Sequence, residues 1–212
     1  RHGQHQEVGL ATTDALLTAG RLPEAERLLR HLVNERPQDD GVYERLLTLK
    51  GTGVVSLLDA LYEQDRFEER PLIWKAMALR RAGQWAEAEQ AVRQALAVDP
   101  TDGEQPAGQR VLGYSVLGDL LKDQQRTHDA AFFDRVVQSV RIAEEGDALA
   151  EAGLLRQSLA KYEEAEGLFA DAYCVQWRLA ERLHALGDVK GAEQHYRIAF
   201  ERMPEQFGRM AS

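Results

Sequence analysis

The sequence predicts an all-α chain of about six helix-turn-helix hairpins, and three observations predict it. First, one eighteen-residue text occurs three times in register: GRLPEAERLLRHLVNERP, GQWAEAEQAVRQALAVDP and GDVKGAEQHYRIAFERMP. In each copy alanine follows glycine by five residues and proline follows it by seventeen, as in Gly20, Ala25 and Pro37. The other copies read Gly83, Ala88, Pro100 and Gly187, Ala192, Pro204. Second, the apolar residues inside the copies recur at helical spacing: Leu22, Ala25, Leu28, Leu29, Leu32, then Trp85, Ala88, Val92, Ala95. Third, no segment alternates with the period of two that marks a strand.

Each part of the unit has a physical reason. Glycine permits the positive φ of a tight turn between helices. The acid-rich segment after it favours helix, and its apolar stripe needs a partner to cover it. Alanine lets the paired helices approach closely at their crossing. Proline then stops the helix from running into the next unit. The partner helix precedes the glycine, as Leu72–Leu79 before Gly83 and Trp177–Leu183 before Gly187. Trp85, just after its turn, falls where the two helices of a hairpin pack and is expected in the core.

The chain reads as one repeat domain over residues 1–212. The well-matched repeats span about 6–39, 69–102 and 173–206. Degenerate units are expected at about 40–68, 107–144 and 146–174. The first carries Tyr43, Leu46, Leu47 and a helix after Gly53. The second carries Tyr114, Leu117, Gly118, Leu121, Ala130 and Val137. The third carries Leu149, Ala152, Gly153, Tyr162, Ala165, Phe169 and Ala172. No glycine or proline settles whether residues 161–185 form one helix or two.

These hairpins resemble the tetratricopeptide repeat family, whose unit is usually thirty-four residues. The last repeat carries nearly all of the resemblance, in Leu179, Ala180, Leu183, Gly187, Ala192, Tyr196, Ala199 and Pro204, and the middle repeat carries Ala76, Leu79, Gly83, Trp85, Ala88, Val92, Ala95 and Pro100. The resemblance implies a right-handed superhelical solenoid and a non-catalytic scaffold or adaptor. First helices of successive hairpins would line a concave groove for a peptide or protein segment. Carried over by alignment, the groove residues are Arg70, Ile73, Trp74, Met77 and Arg81 in one hairpin. Ser115 and Asp119 follow in the next, and Trp177, Arg178 and Glu181 in the last. Tryptophan and methionine would supply apolar anchors, and the arginines suggest a partner with acidic segments. Chaperone-tail recognition is disfavoured, because Leu10, Asp14, Arg45, Ile73 and Met77 stand where a carboxylate clamp needs lysine and asparagine. An alternative expectation is a sensor segment of a longer protein whose output domain lies elsewhere.

Composition narrows the rest. Twenty-six Lys and Arg against 35 Asp and Glu give a net charge of -9, which argues against nucleic acid or anionic membranes as partners. No apolar run is long enough to span a bilayer. The compartment is unassigned, with the cytoplasm slightly favoured. The single cysteine, Cys174, excludes an intrachain disulfide and reads as a small buried residue. The six histidines are dispersed, so no metal centre is expected, and no cofactor motif is present. Lys50-Gly51-Thr52-Gly53 lacks the spacing of a phosphate loop and reads as a helix interruption. Carboxylate pairs such as Glu144-Glu145 read as solvated helix faces rather than acid–base dyads. The start at Arg1, and the lack of a polar capping helix after Pro204, suggest an excerpt of a longer array. Otherwise the uncapped C-terminal end would meet a partner or a second copy.

Overall fold

The computed structural model describes residues 2–99 and 111–202. All regular structure among them is helical. The chain forms two compact units, residues 1–98 and 99–212.

The first unit contains α1 (His2–Thr18), α2 (Leu22–Glu35), α3 (Asp40–Lys50), a 3-10 turn at Gly51–Val54, α4 (Val55–Gln64), α5 (Arg70–Arg81) and α6 (Trp85–Val98). Helices α1 and α2 pair, as do α5 and α6. Helix α3 packs on α2 and α5, and α4 on α5. The core is built from Ala25, Leu29 and Val33 of α2, Val42, Tyr43, Leu46 and Leu47 of α3, and Ile73 and Ala76 of α5. The expected interruption after Lys50 is present. Gly51 takes φ 53°, and the short 3-10 turn redirects the chain into α4.

The second unit contains α7 (Leu112–Asp123), α8 (Thr127–Glu151), α9 (Leu155–Leu168), α10 (Tyr173–Ala185) and α11 (Val189–Arg202). Helix α8 has 25 residues, about 37 Å at 1.5 Å per residue. It packs against α7 and against α9. It thus serves as second helix of one hairpin and first helix of the next. The expected division between residues 144 and 146 falls inside it. The reason lies in the repeat text itself. The well-matched units place proline seventeen residues after the turn, but here that position holds Ile142. Nothing removes a backbone donor, so the helix continues. The question left open at 161–185 resolves into two helices, with the break at residues 169–172.

Five turns close in the same way. The third residue after each helix donates its N–H to the carbonyl five positions back: Arg21 to Leu16, Gln84 to Leu79, Arg126 to Leu121, Leu154 to Leu149 and Asp188 to Leu183. This bonding satisfies carbonyls that a helix end leaves without intrahelical donors. Gly20, Gly83, Gly153 and Gly187 supply the positive φ it requires. In the α7–α8 turn the residue is Gln125, at φ 61°. Ala25, Ala88 and Ala192, expected at the close crossings, are all buried. Pro100 and Pro204 lie outside the described residues, as do residues 107–110 and the end after Pro204. Trp85 departs from expectation. It opens α6 directly at the turn, where the helix end leaves it 40 % exposed rather than in the core.

Candidate functional site

The residues expected to line a groove fall into two groups, and packing separates them. On α5, Arg70 and Ile73 have no exposed surface and Trp74 has 6 %. Trp74 lies parallel to Tyr43 at 6.2 Å between ring centroids, and its indole Nε1 donates to Asp40 Oδ1 at 2.7 Å. Arg70 places Nη1 3.4 Å from Asp40 Oδ2 and Nε 3.5 Å from Glu69 Oε1. This cluster joins α3 to α5 and leaves these three residues little surface for a partner. Burial raises the Asp40 carboxyl above its ordinary range, against the pull of Arg70 and the Trp74 bond. Met77 is half-buried and Arg81 is exposed. Arg81 also lies in the last turn of α5, where the helix dipole favours a cation.

In the second unit Ser115 and Asp119 of α7 are half-buried, and Trp177 and Glu181 of α10 are exposed. Trp177 keeps 46 % of its surface accessible and meets Tyr196 of α11 edge-on at 5.2 Å. Its neighbour Arg178 is committed internally. Nε and Nη2 donate to Asp147 at 2.7–2.9 Å, and Nη1 donates to the Cys174 carbonyl at 2.9 Å. Tyr162 donates its hydroxyl to the same Asp147 at 2.8 Å. Burial alone would lower the Arg178 pKa. The Asp147 bonds more than offset that, so it stands above the ordinary arginine value. Cys174 is half-buried at the edge of the core made by Ala143, Tyr162, Ala165, Val175 and Leu179.

The Asp147–Arg178 contact repeats a pattern of the first unit. Asp14 on α1 takes Arg45 Nε and Nη2, both at 2.7 Å, and Arg45 Nη1 donates to the Gly41 carbonyl at 2.9 Å. In both places aspartate and arginine are 31 residues apart, and the arginine also bonds the carbonyl four residues before it. The Asp40–Trp74 bond spans 34 residues. One repeat length therefore carries a polar stitch between successive first helices. The signal was present as aspartate and arginine at nearly the repeat period. Local patterning hides it, because each residue alone looks like an ordinary helix surface charge.

Among the described residues, no three His, Cys, Asp or Glu side chains gather so as to hold a metal ion. His195 places Nδ1 2.6 Å from Gln176 Oε1, and the Gln176 amide donates to Glu166 and to the Ala170 carbonyl. This ties α9, α10 and α11 together. Among the described residues no helix is long and apolar enough to cross a membrane.

Residues 70–102 match the family model described as tetratricopeptide repeat. No curated protein matches the sequence. Among solved structures, MamA is 15 % identical with a TM-score of 0.37, over 90 % of this chain and 93 % of that one. A MamA 41-end structure from Desulfovibrio magneticus RS-1 is 15 % identical with a TM-score of 0.36, over 92 % and 93 %. YrrB, described as a TPR protein with an unusual peptide-binding site, is 13 % identical with a TM-score of 0.37, over 84 % and 94 %. The matched residues include α5 and α6, closed by the same turn that recurs in both units, and this segment of the chain matches a tetratricopeptide repeat.

Proposed function

We propose that the chain is a non-catalytic interaction scaffold that binds a protein or peptide segment on the exposed face of its first helices. Trp177 carries this reading. It is a large aromatic side chain, 46 % exposed, whose orientation is held by the edge contact with Tyr196. The next residue, Arg178, is pinned to Asp147, so the helix that presents the indole is itself anchored. A pre-positioned aromatic loses little side-chain freedom on binding, and such residues dominate interface energetics. Glu181, four residues on, is exposed on the same helix. Ser115, Asp119, Met77 and Arg81 offer further partly or fully accessible surface within their own units. Arg70 and Arg178 are engaged inside the fold. Of the arginines named, Arg81 therefore carries any preference for an acidic partner.

Selection of a displayed peptide library on the protein tests the proposal. Selected peptides should lose at least tenfold in affinity for Trp177→Ala, about 1.4 kcal/mol, with helicity unchanged by circular dichroism. A full set of selected peptides indifferent to Trp177→Ala and Glu181→Ala would reject the assignment.

A further inference from the structure

A second feature lies apart from the exposed faces of the first helices. The end of α2, the start of α3, the end of α4 and the start of α5 enclose a cavity of about 210 Å³. Liquid water occupies about 30 Å³ per molecule, so the space accepts a side chain rather than a single solvent molecule. Val33, Leu61 and Pro71 give it apolar walls. Asp65 and Glu68 bring two carboxyl groups, and none of the lining residues is cationic. Tyr43 also lines it. That residue is 1 % exposed, yet its hydroxyl has no hydrogen-bond partner. An unpartnered buried hydroxyl is costly, and a ligand donor would satisfy it.

We propose that this cavity receives the side chain of a lysine from a basic polypeptide segment. The four methylenes suit the apolar walls, and the ammonium offers three donors to Tyr43 and the two carboxylates. Phe67 stands in the chain between Asp65 and Glu68 and is 84 % exposed. It provides apolar area beside the cavity for the rest of a bound chain, which favours a polypeptide over a free amine. Burial holds the Glu68 carboxyl above its ordinary range against the pull of Arg70, and a further cation beside it would oppose that shift. The site is independent of the reading of Trp177.

The test is an amide NMR titration of the full chain with an acetylated, amidated Gly-Gly-Lys-Gly-Gly peptide. Saturable shifts should centre on Tyr43 and residues 64–68. The Nε-acetylated peptide should bind at least tenfold more weakly. Tyr43→Phe and Glu68→Gln should each weaken binding about fivefold, while Trp177→Ala leaves it unchanged. Tyr43→Phe removes a hydroxyl that bonds nothing, so the variant should fold. Absence of saturable shifts, equal binding of the acetylated peptide, or insensitivity to Glu68→Gln would overturn the proposal. Equal affinity for n-butylamine would overturn the polypeptide as occupant.

Discussion

The two aspartate–arginine stitches share one geometry but differ in exposure, and that difference sets their worth. Asp147 and Arg178 have side-chain exposures of 31 % and 14 %, whereas Asp14 and Arg45 have 52 % and 24 %. An exposed ion pair contributes about 0.2–1 kcal/mol, because water screens it and long side chains lose freedom. Hydrogen bonds to charged groups in drier surroundings are worth about 1.5–3 kcal/mol. Asp147 additionally accepts from Tyr162, so the pair sits inside a three-helix network. The perturbation is a pair of double-mutant cycles, Asp147→Asn with Arg178→Met, and Asp14→Asn with Arg45→Met. The expected coupling energy is about 2 kcal/mol for the second-unit pair and below about 1 kcal/mol for the first-unit pair. Urea unfolding followed by amide NMR reads each unit by itself, which avoids forcing a two-state treatment on a repeat chain. Raising the salt concentration should weaken the Asp14–Arg45 coupling more. Equal coupling energies, or a larger one at Asp14–Arg45, would refute the argument that exposure decides.

Three further outcomes follow from local geometry. A Cβ on Gly146 of α8 would stand 2.5 Å from Tyr162 Cε1 on α9, so Gly146→Ala should destabilise the second unit by about 1–2 kcal/mol despite its better helix propensity; an increase in urea midpoint would contradict this. Gln125 holds φ 61°, which costs an ordinary residue about 1–2 kcal/mol. Gln125→Gly should therefore stabilise by about 0.5–1 kcal/mol after the extra unfolded-state freedom of glycine is counted, and an unchanged or lower midpoint would show no strain there. Burial raises the folded pKa of Glu68, so the folded state holds its proton to higher pH than the unfolded chain. Stability is then lost as pH rises from about 4.3 through the folded value. Glu68→Gln, which keeps an acceptor for the Arg70 N–H, should be more stable than the parent at pH 7 and equal to it below about pH 4. An advantage that persists at low pH would point to packing instead.

The site was less legible than the fold, and Trp74 and Trp177 show why. Both lie on first helices and both suit a groove by alignment. Asp40, 34 residues before Trp74, captures its indole N–H and helps bury it. Trp177 meets the edge of Tyr196 and stays accessible. Alignment to a repeat describes the average environment of a position, whereas exposure depends on the particular side chains that neighbouring units supply. Arg178 makes the same point, because its partner stands 31 residues away on another helix.

The sequence by itself determined what local chemistry controls: helical periodicity, the turns at Gly20, Gly83 and Gly187, the buried alanines five residues after them, and the interruption at Gly51. Each of these rests on φ preference, side-chain size or apolar spacing within a few residues. Tertiary structure decided the rest. It made α8 one helix packed on two partners, closed a turn with Gln125 in a left-handed conformation, and buried Arg70. It also brought Tyr43 and Glu68 to one cavity. Those outcomes depend on contacts between residues far apart in the chain, whose energies are settled only when the helices pack.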